Sequence, residues 1–495
     1  MPESFVERLK WDIPASFVVF LVALPLSLGI ALASGAPLES GLVAAVAGGI
    51  VVSLVGGAPL QVSGPAAGLT VLVFALIQKH GFETTCLIVI AAGLFQMIAG
   101  ASGFARLALV ISPAILHAML AGIGILIVLS QFHIMLGASP GGSGFDNLLK
   151  IPQTLAQLNA SALYLGALTI GVIVLWNRFM ARKIPLIPGP LIAIFIATLL
   201  SLFFSSAVPR VQIDGQLWTG FHFQLPTDWH QAALLLPDAL GLMLVASAES
   251  LLCARATDKL HQGPRANLSK ELVGQGLGNM VSGLCGGLPI TGVIVRSSAN
   301  VAAGAKSQVS AFLHGVWILL FATLFSGILR HIPLPVLAAL LVFVGINLIK
   351  IREFKNVWKF REGLVYLVTI GGVVFGNILL GIGFGFALSV TFLALRLNKM
   401  EFEITERQTE IDIKITGSLS FLNVPRLQQH LQSLPNGRII RIQLEVNSMD
   451  AAAIEAIRAW RTSYETMGGK VNKPSLDETW TQLSEERNAH GESRE

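Results

Sequence analysis

The sequence runs to 495 residues, of which 53% are apolar and only 13% charged, with a mean hydropathy of +0.69. Soluble domains carry about 25% charged residues, so this composition excludes an ordinary soluble protein and fits a polytopic membrane chain, in which 49 glycines and 22 prolines are unremarked. The formal charge of +5 falls mostly in loops, which argues against a nucleic-acid footprint, and three cysteines without Cys-x-x-Cys spacing argue against disulfides and structural zinc.

Met1 to Trp11 carries acids and bases, and no small-residue cleavage signal closes the apolar run that follows, so that run is expected to remain as a span. About 20 residues cross the hydrocarbon layer. Candidates in the first half lie near 13–34, 40–56, 84–103, 112–135, 161–179 and 189–206. The second half offers 236–255, 271–285, 308–329, 333–349, 362–376 and 378–396, the last two meeting around Asn377.

Two Gly- and Pro-marked segments interrupt these runs. They are Ser63-Gly64-Pro65-Ala66-Ala67-Gly68-Leu69-Thr70 and Gly286-Gly287-Leu288-Pro289-Ile290-Thr291-Gly292-Val293. Each is expected to pass from extended backbone into a short helix, which brings the count to seven segments per half and fourteen in all. Amides freed inside hydrocarbon must be satisfied by protein, water or a ligand. Two half-helix N-termini facing each other across a midplane converge partial positive charge, which suits an anion. The competing reading is that the glycines only permit close helix packing.

Charge placement agrees with an even count. With both termini in the cytoplasm, the inner loops hold Arg178, Arg182, Lys183, Arg255, Lys259, Arg265, Lys270, Lys350, Arg352, Lys355, Lys359 and Arg361. The opposite loops hold Lys79, Lys150, Arg210 and Arg330, mixed with Glu83, Asp146, Asp214 and Asp228. That is a positive-inside bias. The interrupted segments lie about 225 residues apart, each the third element of its half, and the same offset relates the helix of Leu24-Pro25-Leu26 to the helix of Glu249. Since seven is odd, the second repeat must enter inverted, the arrangement that alternating access uses. The transport unit is placed at 1–399, with repeats at about 12–207 and 233–398, followed by a cytoplasmic unit at 400–495.

In that last unit, Gln408 to Thr416 and Arg438 to Val446 alternate like strands. Leu422 to Leu434 and Ala451 to Met467 have helical spacing, so a small α/β domain is expected, with a polar tail past Lys473.

These stretches resemble the sulfate permease (SulP) family of anion transporters with a C-terminal STAS domain. The likeness covers nearly the whole chain and is most specific at Leu24 to Gly35, Gly64 to Thr70, Glu249 to Asp258 and Glu271 to Gly304, including Glu271-Leu272-Val273-Gly274-Gln275-Gly276-Leu277-Gly278-Asn279 and Arg296-Ser297-Ser298-Ala299-Asn300. The resemblance implies a polytopic α-helical fold of two inverted seven-span repeats, split into core and gate domains, and a homodimer. It also implies an anion held between the third and tenth helices, by Ala66, Ala67 and Gly68 on one side and Val293 and Ile294 on the other, with Leu26 and Ile30 completing the pocket. The run Leu21 to Ala31 and the small-residue helix starts look closest to the bacterial bicarbonate/sulfate branch, which places the chain in the bacterial inner membrane and tilts the substrate toward bicarbonate.

Three readings of Glu249 stay open: it binds a coupling cation, carries a proton itself, or pairs permanently with Arg296. An uncompensated carboxylate in this apolar run would be costly. Sodium-coupled members resembling this chain carry an acid followed four positions later by threonine; here those positions are Glu249 and Cys253, and cysteine is a poor ligand for a hard cation. Arg296 could supply a positive field to the anion, neutralise Glu249, or do both. Thr291 and Ser63 are read as half-helix caps or substrate contacts. His117, His133 and His314 lack a third ligand and are read as buried or interfacial, and Trp11, Trp176 and Trp358 as interfacial anchors. Ala451 stands where phosphorylated STAS proteins place a serine or threonine, which leaves Ser448 as a non-specific acceptor.

The expected function is secondary active transport of a small inorganic anion, bicarbonate first, with H+ favoured over Na+ as coupling ion. Alternatives are a sodium-coupled bicarbonate symporter, a sulfate or dicarboxylate transporter, a chloride/bicarbonate exchanger and an anion channel. No enzyme activity, cofactor or resident metal is expected. The expected partners are the anion, the bilayer and a second copy of the chain.

Overall fold

The computed structural model describes residues 5–103, 113–180, 183–184, 187–203, 208–212, 229–350, 354–355, 358, 362–376, 378–397, 400–407, 410–420 and 423–472. Arg182, Asp214, Asp228, Arg352, Lys359, Arg361, Asn377, Gln408, Leu422 and the tail past Lys473 lie outside the described residues. The chain divides into two units, Met1–Phe386 and Ala387–Glu495.

The first unit opens with α1, Phe5–Ala33, which contains Pro14 and Pro25. Ala15, Val19, Ala23, Leu28 and Ala31 are fully buried, so the helix is enclosed on most sides, as expected for one that is apolar all round. Pro25 has no N–H, which releases the Leu21 carbonyl from the helix ladder. Next comes α2, Leu38–Ala47, which widens into a π-helical turn at Gly48–Val52 before a last turn at Ser53–Val55. Gly48 and Gly49 sit in that wide turn because backbone passes close by: a Cβ on Gly48 would lie 2.6 Å from Ser63 carbonyl atoms, and one on Gly49 2.6 Å from Gly315 Cα.

After strand β1, Ser63–Pro65, a 3-10 turn at Ala67–Leu69 leads into α3, Thr70–His80. The unit continues through α4 (Phe82–Ala101), α5 (Pro113–Met135), α6 (Gly144–Ala156), α7 (Ala160–Phe179) and α8 (Gly189–Ser201). The second half holds α9 (Trp229–Asp258), α10 (Leu268–Leu284), strand β2 (Ile290–Gly292), α11 (Ile294–Ala302) and α12 (Gln308–Leu324). It ends with α13 (Leu334–Leu348), α14 (Gly363–Phe375) and the first part of α15 (Ile378–Leu397), whose residues from Ala387 belong to the second unit.

Among the described residues, six of these stretches are long and apolar enough to cross a membrane, and six shorter apolar helices accompany them. With α10 and α11, these described helices number fourteen, as many as the expected segments. One element was not expected: α6 is amphipathic, started by Ser143 accepting from the Asp146 N–H at 3.1 Å, with Phe145, Leu148, Leu149 and Leu155 exposed. The eleventh segment is shorter than expected, because the backbone of Phe325 leaves helical geometry and a separate turn, Ser326–Leu329, follows.

The two interrupted segments meet. Strands β1 and β2 pair antiparallel, with Ser63 opposite Gly292, Gly64 opposite Thr291 and Pro65 opposite Ile290. An antiparallel ribbon sends the helices that follow its strands away in opposite directions, so α3 and α11 start at one crossing point.

The second unit is a four-stranded sheet in the order β3-β4-β5-β6, formed by Met400–Glu406, Glu410–Leu419, Ile439–Met449 and Lys470–Asn472. Strand β3 is antiparallel to β4, whereas β4–β5 and β5–β6 are parallel, connected through α16 (Val424–Gln432) and α17 (Ala451–Thr466). Alternate residues Ile411, Ile413 and Ile415 are buried against Leu427, Leu431, Ile457 and Tyr464. The edge strands β3 and β6 are additional to the two strands expected from the sequence.

Candidate functional site

The crossing point is held by one face of α10. Glu271, Gln275 and Asn279 are four residues apart, so they share that face, and all three are buried. Glu271 Oε2 accepts from the N–H groups of Gly57 and Ala58, both at 2.9 Å, and Oε1 accepts from Gln61 Nε2 at 2.6 Å and Gln275 Nε2 at 2.7 Å. Gln275 also donates to Ser63 Oγ at 2.6 Å. Asn279 brackets Ile290, accepting from its N–H at 2.7 Å and donating to its carbonyl at 3.0 Å, and donates to Gln96 Oε1 at 2.8 Å. Three side chains of one helix thereby fix the loop before β1 and both strands of the ribbon. The spacing of these polar residues was visible in the sequence, but its role was not.

Both half-helix starts lack side-chain caps. The turn after β1 begins at Ala66 and α11 at Val293, neither with a capping side chain. This corrects the cap reading for Ser63 and Thr291: Ser63 accepts from Gln275, while Thr291 Oγ1 donates to the Gly292 carbonyl at 3.3 Å. The first backbone bond of α11 runs from Ser297 N to Val293 O at 2.9 Å, so the N–H groups of Ile294, Val295 and Arg296 point ahead of the helix without an intrahelical acceptor. Such a terminus carries partial positive charge.

A cavity of about 240 Å³ lies against these starts. It brings together Leu26 and Ile30 of α1, Ala66, Ala67 and Gly68, Glu249 of α9, and Val293, Ile294 and Arg296. Thr291 and Cys253 do not line it. The facing wall, which the sequence reading did not assemble, includes His117 of α5, Phe343 and Asn347 of α13, Lys350, and Tyr366 of α14.

Arg296 is fully buried. Its Nη2 donates to Ser27 Oγ at 3.0 Å and to the Pro65 carbonyl at 3.4 Å, while Nε and Nη1 have no partner. Gly64 is required beneath it, because a Cβ there would overlap Nη1. Glu249 faces the same cavity, with Oε2 unpartnered, and a Cβ on Gly68 would overlap its carboxyl group. Among the ion pairs of the described residues none joins Glu249 to Arg296. The permanent-pair reading thus falls away: the guanidinium is held by a serine and a carbonyl, which leaves a guanidinium and a carboxyl group facing one cavity.

Cys253 lies one turn from Glu249 and is buried away from the cavity, its Sγ 3.6 Å from Ser297 Oγ and 3.9 Å from Thr257 Oγ1. Among the described residues no group of three His, Cys, Asp or Glu side chains is placed to hold a metal. His133 is held by Thr154 Oγ1 at 2.6 Å and the Asn147 carbonyl at 3.0 Å, and His314 is fully buried beside the Ala311 carbonyl.

Two short helices that start at a shared antiparallel crossing, uncapped and facing a cavity between apolar helices, define a carrier of the inverted-repeat class. The pattern of the sulfate permease family matches residues 9–370, and the chain belongs to that family. It is a multi-pass membrane transporter of small inorganic anions, not an enzyme. It is 28% identical over 473 residues to YvdB, a candidate sulfate transporter of Bacillus subtilis, covering 90% of this chain and 88% of that one. The transmembrane domain of the cyanobacterial bicarbonate transporter BicA is 27% identical and superposes with a TM-score of 0.68, covering 77% of this chain and 98% of that domain. The murine anion transporter Slc26a9, in its inward-facing state, is 17% identical with a TM-score of 0.79, covering 98% of this chain and 88% of that one; this likeness establishes the fold alone.

Proposed function

We propose that the chain carries bicarbonate by alternating access, with the anion seated between Ala66–Gly68 and Val293–Ile294 and a proton as the coupling ion on Glu249. The observation that carries this reading is the shared cavity, which Arg296 and Glu249 both face with unpartnered atoms. Arg296 and the free N–H groups attract the anion, while Leu26 and Ile30 exclude water around it. Protonation of Glu249 removes a negative charge that would otherwise repel the anion and be costly to carry through a conformational change. A sodium ion needs several hard oxygens, and the thiol of Cys253 points to Ser297 and Thr257 instead of the cavity.

Bicarbonate is favoured by the match to the BicA membrane domain. Sulfate is the second reading, supported by the likeness to YvdB. We assign the transport unit to 1–399, with repeats at about 12–207 and 233–398, in a bacterial inner membrane with both termini cytoplasmic. Residues 400–495 are read as a STAS-like domain that acts in homodimer assembly or regulation.

Initial uptake into proteoliposomes tests the coupling. A pH gradient at zero sodium should drive labelled bicarbonate inward, and a sodium gradient at clamped pH should not. Uptake that needs sodium and ignores the proton gradient would make Glu249 a cation ligand, and a preference for labelled sulfate under both conditions would move the substrate to the second reading.

A further inference from the structure

A second cavity lies across α1 from the first. It is a groove of about 310 Å³ between α1, α8 and the turn that follows α12. Leu24, Pro25 and Leu28 face it, whereas Leu26 and Ile30 of the same helix line the anion cavity. Its floor is closed at Leu28 and Leu329, but its lips are open: Phe195, Leu199 and Ile328 are 65%, 48% and 57% exposed. These lips belong to apolar segments of the membrane unit, where hydrocarbon and not water is the solvent.

Two polar side chains, Thr198 and His331, interrupt the apolar lining. Thr198 Oγ1 is inaccessible and has no hydrogen-bond partner. It sits about one turn before the end of α8 at Ser201. Beyond it the groove is strapped. Arg210 donates from Nη1 to the His331 carbonyl and from Nη2 to the Ser201 carbonyl, both at 3.1 Å, and Val211 N donates to the Ile332 carbonyl at 2.9 Å. The strap and the turn thus carry two guanidinium groups at this end, Arg210 and the exposed Arg330.

We propose that the groove binds one acyl chain of an anionic glycerophospholipid, with its phosphate at Arg210 and Arg330. A closed apolar floor with arginines at one end, where Arg210 holds the His331 carbonyl and Arg330 precedes it in the chain, matches that amphiphile in order along its length. Because α1 is the wall common to both cavities, a seated chain bears on the movement of that helix; this consequence rests on the carrier reading, whereas the binding itself does not.

The test is photolabelling of the purified full chain in nanodiscs, using phosphatidylglycerol or phosphatidylcholine with a diazirine on one acyl chain, followed by peptide mapping. Label should concentrate on peptides holding residues 191–202 and 328–332, and more so from phosphatidylglycerol. Ile328→Trp, and independently Leu199→Trp from the opposite wall, should lower that label several-fold in protein with an unchanged unfolding temperature. Replacing Arg210 and Arg330 together by glutamine should abolish the preference for the anionic lipid. Label spread evenly over the membrane-facing helices, label unchanged in both tryptophan variants, or cross-links between two copies at these peptides would each overturn the proposal. Labelling requires no transport, so a failed uptake experiment leaves this result standing.

Discussion

Replacing Glu271 separates charge from hydrogen bonding at the crossing point. The carboxylate is buried and accepts four hydrogen bonds, two from backbone N–H groups and two from glutamine amides. Glu271→Leu strands the N–H groups of Gly57 and Ala58, which cannot turn away. Each buried donor left unpaired costs about 1–3 kcal/mol, so with partial relaxation of the two amides the loss should reach about 3–6 kcal/mol. Glu271→Gln differs in kind. Its carbonyl can keep both backbone donors, and its NH2 would face Gln61 and Gln275, whose own Oε1 atoms lack partners. A flip of both amides turns those oxygens toward the new donor, and only the charge assistance is lost, about 1–2 kcal/mol. Thermal unfolding of the purified full chain, run beside anion uptake, reads both effects. Gln should unfold slightly below wild type and retain uptake, whereas Leu should unfold far below it and transport nothing. Equal damage from the two substitutions, or a harmless Leu, would refute the reasoning.

Gly68→Ala places a methyl group in the Glu249 carboxyl, so uptake should fall about tenfold or more while the unfolding temperature barely moves; unchanged uptake would show that the carboxyl is free to relocate. Glu249→Gln mimics the protonated state: uptake driven by a pH gradient should collapse while anion exchange at equal pH survives, and loss of both would assign Glu249 to anion binding. Cys253→Thr should leave uptake at wild-type level, because the thiol lies outside the cavity; strict dependence on the thiol would contradict its assigned place. Deleting the residues after Met400 should lower dimer content or yield without reordering anion preference, and a changed order in a well-folded truncation would give the domain a part in selectivity.

The sequence exposed the crossing point because Pro and Gly inside apolar runs have few structural uses, and the same signature recurs at Pro65 and Pro289. Glu249 and Arg296 stood out for a related reason, as charges in hydrocarbon. Of the readings the sequence left open, the permanent pair falls away, since Ser27 and the Pro65 carbonyl hold the guanidinium instead. Nothing local marks Ser27 as a partner 269 positions away. The facing wall of His117, Asn347, Lys350 and Tyr366 is assembled from three distant segments, so no spacing could reveal it. Glu271, Gln275 and Asn279 form the opposite case: a polar stripe at helical period was present in the sequence, but its hydrogen-bond partners, loop backbone and the ribbon, appear only on folding. The amphipathic α6 was overlooked because its alternating character fails a search for continuous apolar spans.

The central claim is that the anion sits between the two half-helix starts. Ala66→Phe tests it most directly, because Ala66 is 3% exposed and lines the cavity at the mouth of the first half-helix. Saturable uptake of labelled bicarbonate should be measured for the variant and wild type in matched proteoliposomes, with unfolding temperatures taken on the same preparations. The account predicts that saturable uptake is lost while the variant stays folded. Wild-type affinity and rate in a folded Ala66→Phe protein would place the anion elsewhere.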